Sequence, residues 1–297
     1  MSGIESAAQG LGHAVAFLFG AIVGSFLNVV VARVPAGESV VHPRSRCPAC
    51  RTPIAWYDNV PVLSWILLRG RCRACRAGIS IRYPLVEFLG GAAALVAVSR
   101  HGLSLPALAE FGFAATLLAL SFIDLDTWLL PHVITVPLLL AGVELSALGL
   151  TAAPSFLSSL GGAAAGWLSF AAVSFVGEKV LKKEALGFGD VWLLGGIGAW
   201  VGLGGLLPVV LLASLQGTVI GLALIVIGRG QPGPEPAPGP DPAATEPEVA
   251  PAPDPDADWV PPRNAVPFGP FLAAGALEWL WLQGWLAGLV PMLSIFR

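Results

Sequence analysis

An all-α, polytopic membrane protein of about eight transmembrane helices is the fold class this sequence predicts, and three observations predict it. Of 297 residues, 55% are hydrophobic and only 12% charged, with a mean hydropathy of +0.76, whereas a soluble domain carries about 25% charged residues. Stretches without Asp, Glu, Lys or Arg span 6–32, 145–177 and 191–228, each long enough for at least one membrane helix of about 20 residues. The basic residues, finally, are distributed lopsidedly about those stretches.

The elements follow in order. A first helix covers about 11–33; Met1 to Gly10 carries no basic residue and the run ends without a small-residue cleavage site, so it reads as a retained helix rather than a signal peptide. A polar loop follows, then helices over about 83–99 and 104–123. Pro131 opens a fourth helix over about 132–150, suiting a first helical turn. A fifth covers about 155–177, and the break Gly204-Gly205 divides the next apolar run into helices over about 190–203 and 207–228. The eighth covers about 268–290. Runs of small residues such as Gly161-Gly162-Ala163-Ala164-Ala165-Gly166 permit close helix packing in lipid.

With the N-terminus outside, fourteen of the sixteen Lys and Arg residues fall on inner segments, leaving only Arg100 and Arg297 outside. That bias fixes the orientation. The net charge of −3 conceals it, because residues 231–262 hold seven acids, no base and twelve prolines. Such a stretch has neither helix propensity nor apolar surface for a core, so it reads as a disordered, acidic cytoplasmic linker. The chain then divides into a first transmembrane helix (1–33), a cytoplasmic four-cysteine loop (34–82), a membrane core (83–230), the linker (231–266) and a last helix (267–297).

Cys47-Pro48-Ala49-Cys50 and Cys72-Arg73-Ala74-Cys75 hold all four cysteines, as two C-x-x-C knuckles separated by 21 residues. That spacing matches a four-thiolate zinc site. Disulfides are rare in the cytoplasm, where the charge count puts the loop. Four thiolates leave no position open for water, so the zinc is expected to be structural. The arginines around the knuckles suit anionic lipid headgroups; a loop held against a membrane leaves little room for a nucleic acid duplex, and none is expected as a partner.

Asp190, in Gly187-Phe188-Gly189-Asp190, starts an apolar run, and Asp124 closes another. Acids at membrane-helix ends are costly to desolvate, and the predicted topology places both at the cytoplasmic face. Two such carboxylates suit acid/base attack of water on a peptide bond, sharing a single proton, with the dipole of the helix that begins at Asp190 favouring charge there. Asp126 competes with Asp124, and spacing alone does not separate them. Glu110, Glu144 and Glu278 lie deeper in helices without a motif; Glu110 and Glu144 either share a proton across their hairpin or reach outward. Other classes fit the composition too: a proton-coupled transporter, though no paired half-sequences appear, or a zinc-stabilised membrane scaffold.

These motifs resemble those of the type IV prepilin peptidases, bifunctional leader peptidases and N-methyltransferases of bacterial pilus and type II secretion systems. The resemblance rests on Gly24-Ser25-Phe26-Leu27-Asn28-Val29-Val30, the block Pro43 to Cys50, and Asn59 to Trp65. It continues through Cys72 to Cys75, Ile79 to Glu87, the aspartate motif up to Leu130-Pro131, Glu184 to Asp190, and Pro267-Phe268-Gly269-Pro270. It implies an aspartyl endopeptidase of the bacterial inner membrane that cuts prepilins or pseudopilins after a glycine, releasing a short basic leader. It selects Asp124, seven residues before the proline, and Asp190 as catalytic. It also implies methylation of the new N-terminal amine from S-adenosylmethionine, with Asn28, Arg33 and Glu87 at the methyl-donor site. One departure stands out: Trp192 occupies a position that is usually lysine in the family.

Overall fold

The computed structural model describes residues 2–181, 187–227, 266–289 and 295–296, and it is all-helical. Its described residues form eight α-helices: α1 (Ser2–Arg33), α2 (Leu63–Leu67), α3 (Arg82–His101), α4 (Leu105–Thr127), α5 (His132–Ala147), α6 (Phe156–Val176), α7 (Phe188–Val226) and α8 (Gly269–Leu289). The acidic proline-rich stretch 231–262 lies outside the described residues, as do Lys182 and Lys183.

Local chemistry sets the boundaries. Ser104 caps α4, its hydroxyl accepting the Ala107 N–H at 3.4 Å, and Ser155 caps α6 through the Ser158 N–H at 3.1 Å. Gly102, at φ 66°, ends α3. Among the described residues, four helical stretches are long and apolar enough to cross a membrane: Gln9–Arg33, Leu105–Thr127, Phe156–Val180 and Phe188–Val226. At 1.5 Å per residue the 39 residues of α7 run about 58 Å, nearly twice a bilayer core. The helix breaks at Gly202, whose φ of 77° no L-residue takes easily. The Leu203 N–H freed there is accepted by the Ser158 hydroxyl at 3.2 Å. The expected division of this run is therefore present, two residues earlier than the Gly204-Gly205 pair.

Two apolar clusters meet on α4. Val31, Val86, Ala97, Phe111 and Ile123 join α1, α3 and one side of α4. Phe113, Leu117, Leu194, Ile197, Trp200 and Leu272 join the other side to α7 and α8. The helix ends gather at two levels. The start of α3, the end of α4 and the starts of α7 and α8 adjoin one another, as the contacts Arg82–Asp126, Gly269–Asp124 and Gly189–Leu130 show. At the opposite end the close of α3 packs on the start of α4.

Candidate active site

Asp124 sits in the last turn of α4, and Trp128 closes that turn in the left-handed region at φ 57°, its N–H donating to the Asp124 carbonyl at 2.9 Å. The chain can then double back through Leu129-Leu130-Pro131 into α5. The Asp124 side chain is 5% exposed, and its Oδ2 accepts the Gly269 N–H, 145 residues away, at 3.0 Å. A Cβ on residue 269 would lie 2.5 Å from that oxygen, so the approach requires glycine. Asp126 points elsewhere. It is exposed and pairs with Arg82 at the start of α3, so the two acids that spacing leaves tied are separated by their surroundings.

Asp190 lies in the first turn of α7, anchored by its N–H to the Gly187 carbonyl at 3.0 Å. It is 9% exposed, its Oδ1 is buried without a hydrogen-bond partner, and it interacts electrostatically with Asp124. Gly189 makes this possible: a Cβ there would meet Leu130 Cβ at 2.7 Å. Leu130 also borders Gly269, so α4, α7 and α8 converge with the two carboxylates beside it. Trp192 packs edge-on to Trp167 and at a tilt to His132, ring centroids 6.1 and 5.9 Å apart.

The four cysteines converge as well. Their sulfurs all lie within 4.8 Å of one another, with Cys47 and Cys75 Sγ 3.8 Å apart. A tetrahedron with metal–sulfur bonds of about 2.3 Å has edges of about 3.8 Å, so the cluster has the dimensions of a metal site. The two knuckles share one backbone design. Cys47 N–H donates to Thr52 O and Arg51 N–H to Cys47 O; Cys72 N–H donates to Ala77 O and Arg76 N–H to Cys72 O. Arg51 and Arg76 both take positive φ, and the bridges Arg46–Pro53 and Arg71–Gly78 close the two turns. Two of the four cysteines are biased toward thiolate, the metal-binding form, whereas Cys75 is pushed up to about 11, the lowering pull of the Ala77 backbone being outweighed by the neighbouring cysteine sulfurs and burial. Hydrogen bonding from the Thr52 side chain and backbone pulls the Cys50 thiol down to about 6, and the backbone amides of Cys75 and Ala74 lower that of Cys72.

Between this loop and the ends of α1 and α3 lies a cavity of about 740 Å³ whose lining includes Asn28, Arg33 and Glu87. The structure thus brings these three together. Arg33 donates to the carbonyls of Ser39 and Pro43 at 2.9 and 2.8 Å, folding the loop's first turn back on α1. Glu87 accepts the Val62 N–H at 2.7 Å.

Two groups near these sites carried no sequence signal. The Gly269 N–H belongs to a backbone far along the chain, and nothing in residue chemistry marks it as a partner of Asp124. Arg82 reads as one loop arginine among several. Of the two alternatives for Glu110, pairing across the α4–α5 hairpin is not the one present: its carboxylate takes Arg100 Nε at 3.1 Å and His101 Nε2 at 2.8 Å, at the close of α3, and Trp281 Nε1 at 3.0 Å. Glu278 accepts from Gln216 Nε2 at 2.7 Å, joining α8 to α7.

Comparison with known proteins gives the class first, a peptidase, and it does so on both parts of the fold. The model of the Bacterial Peptidase A24 N-terminal domain matches residues 18–101, and that of the Type IV leader peptidase family matches 111–222. The Prepilin leader peptidase/N-methyltransferase of Myxococcus xanthus (strain DK1622) is 43% identical, over 93% of this chain and 91% of its own length. Proteins of the same name from Burkholderia pseudomallei (strain 1026b) and Aeromonas hydrophila are 37% and 34% identical, over 90% and 89% of this chain and 84% and 89% of their own. No solved structure matches the chain. The chain belongs to the type IV leader peptidase family.

Proposed function

We propose that Asp124 and Asp190 are the catalytic pair of a prepilin leader peptidase working at the cytoplasmic face of the bacterial inner membrane. One observation carries this reading: two carboxylates, each buried at a membrane-helix end, lie within electrostatic reach of each other in a chain of this family. Close carboxylates share one proton. One takes a proton from water as that water attacks the scissile carbonyl, while the other, protonated, polarises the carbonyl oxygen, and no covalent intermediate forms. The dipole of α7 does not by itself separate the two roles, because Asp124 faces the N-terminus of α8.

The substrate of such a peptidase is a prepilin or pseudopilin whose leader lies on the cytoplasmic side. Eight spans serve this arrangement, with α1, α3, α4, α5, α6 and α8 each crossing once and α7 twice about Gly202. The loop then lies in the cytoplasm, and Cys47, Cys50, Cys72 and Cys75 hold zinc there. The metal cross-links the two knuckles and leaves no open position for a reacting water. The chain's second activity is N-methyl transfer, for which S-adenosylmethionine supplies a methyl group activated on sulfonium. The cavity whose lining includes Asn28, Arg33 and Glu87 has room for it, with polar side chains set in a largely apolar wall.

The test is cleavage of a purified prepilin in detergent by the wild-type protein and by Asp124→Asn, Asp190→Asn and Asp126→Asn. The first two are expected to lose cleavage while remaining inserted and expressed, and the third to keep it. Cleavage by either of the first two would overturn the assignment.

A further inference from the structure

We infer that Asn28 and Glu87 form the acceptor end of the loop cavity, binding the amine that is methylated, and that Glu87 is the base that takes its proton. The inference rests on the reading that the methyl donor occupies this cavity. Asn28 is 5% exposed, and its Nδ2 donates to the carbonyls of Gly24 at 3.3 Å and Tyr83 at 3.2 Å. Both neighbours are acceptors, so turning the amide over would set oxygen against oxygen, and its orientation is fixed. Its Oδ1 is therefore left out of water with no donor. A buried acceptor without a partner is uncommon in a folded protein. Here it belongs to a side chain that lines a cavity.

Glu87 stands at the same level on the adjoining helix. A Cβ on Gly24, one turn before Asn28, would lie 2.7 Å from Glu87 Cα. The carboxylate is oriented by the loop, accepting the Val62 N–H at 2.7 Å. Val62 is held at φ 61° to make this contact. A β-branched residue rarely takes that conformation, and such strain gathers at functional sites. The other carboxylate lining the cavity, Asp58, has both oxygens on Arg73, at 2.6 and 2.7 Å. Glu87 is thus the cavity carboxylate that no side-chain cation neutralises.

The chemistry asks for these two groups. At neutral pH an amino terminus is largely ammonium and has no lone pair to offer. An ammonium brings three donors, which the Asn28 oxygen and the Glu87 carboxylate accept. In the step itself one N–H bond breaks and its proton goes to Glu87. The nitrogen lone pair forms the bond to the methyl carbon as the carbon–sulfur bond breaks. That electron pair stays on sulfur, which leaves as a neutral thioether, and Glu87 then returns its proton to water.

A peptide that already carries a free amino terminus separates this step from cleavage. Methylation of that peptide by the full-length protein in detergent is measured against pH for wild type, Glu87→Gln and Glu87→Asp. A positioned base contributes at least about 100-fold, so Glu87→Gln should lose that much near about pH 6.5. The loss should shrink to a few-fold near about pH 9, where an amino group of pKa about 8 loses its proton unaided. Glu87→Asp should fall between. Two binding measurements read the site without turnover: fluorescence anisotropy of the free-amine peptide against its N-acetylated form, and dialysis of labelled S-adenosylmethionine. Glu87→Gln and Asn28→Leu should weaken the free-amine peptide to the level of the acetylated one while the donor still binds, with metal content as the check on folding. Loss of donor binding with the amine peptide unaffected would overturn the proposal and leave the donor in this cavity. Glu87→Gln activity reduced equally at every pH would overturn the base. Variants that alter neither binding nor methylation would overturn both the proposal and the cavity reading.

Discussion

The four-cysteine loop and the aspartate pair are assembled in opposite ways. Each knuckle of the loop is made within eight residues, Arg46 to Pro53 or Arg71 to Gly78, from turns that either segment forms by itself. The aspartate pair has no local structure. It exists because α4 ends, α7 begins and α8 begins at one level, with Gly189 and Gly269 leaving room for Leu130 and Asp124. A locally built site tolerates change in its surroundings, whereas one built from three helix ends depends on each approach distance. The following experiments set the two regions against each other.

The largest effect belongs to the carboxylates. Asp124→Asn or Asp190→Asn removes the group that moves the proton, and cleavage is expected to fall by about 10³-fold or more. Metal content should stay at the wild-type level, because the loop does not depend on the pair. Measuring metal and cleavage on the same preparation checks both halves; loss of metal in either variant would show that the regions fold together.

Next comes Gly269→Ala. The added methyl must occupy space 2.5 Å from Asp124 Oδ2, so either the carboxylate turns away or α8 withdraws its N–H. Cleavage should drop about 10- to 100-fold, the range for a group shifted by about an ångström from its productive position. An alanine variant within twofold of wild type would show that α8 merely passes by the site.

This difference in assembly also explains what was legible in the sequence. The knuckles, the membrane helices and the split of α7 depend on spacing, composition and hydropathy, which are local properties. The two aspartates could be nominated, since an acid at the end of an apolar run is conspicuous. Choosing Asp124 over Asp126 needed a family pattern, because the physical distinction comes from Arg82, 44 residues from its partner Asp126, and Gly269, 145 residues from Asp124. Glu110 teaches the same point. Its partners come from the end of α3 and from α8, and no periodicity in α4 announces them.

Removing the metal should matter less to cleavage than either change above. Replacing Cys47 and Cys72 by serine leaves two thiolates and should abolish tight zinc binding. Cleavage should fall by less than about tenfold, because the loop is fastened to α1 and α3, at Arg33 and Glu87, whereas Asp124 takes its hydrogen bond from α8. Methylation should be lost, since the cavity wall is made by the loop. Equal loss of both activities would mean that the loop positions the aspartates as well.

The smallest effect is at Asp58, and its pH dependence has a definite sign. The carboxylate is held below the usual range chiefly by its hydrogen bonds with Arg73, which tie the turn before α2 to the second knuckle. A depressed carboxyl contributes stability above its unfolded pKa of about 3.9 and loses it only as pH falls through the lower folded value. Arg73 is 61% exposed, so solvent screens the pair and its contribution is small. Asp58→Asn should therefore speed zinc transfer to a chromogenic chelator by at most a few-fold. Absolute transfer rates should rise on acidification, since thiolates bind the metal and protons compete for them. The ratio of variant to wild type should nevertheless stay flat between about pH 7.5 and 5.5, because Asp58 remains ionised throughout that window. Added salt should shrink the ratio, as expected for an exposed ion pair. A ratio that collapses within this window would trace the difference to protonation of the metal-binding thiols instead. The Asp58–Arg73 pair would then be a bystander to metal retention.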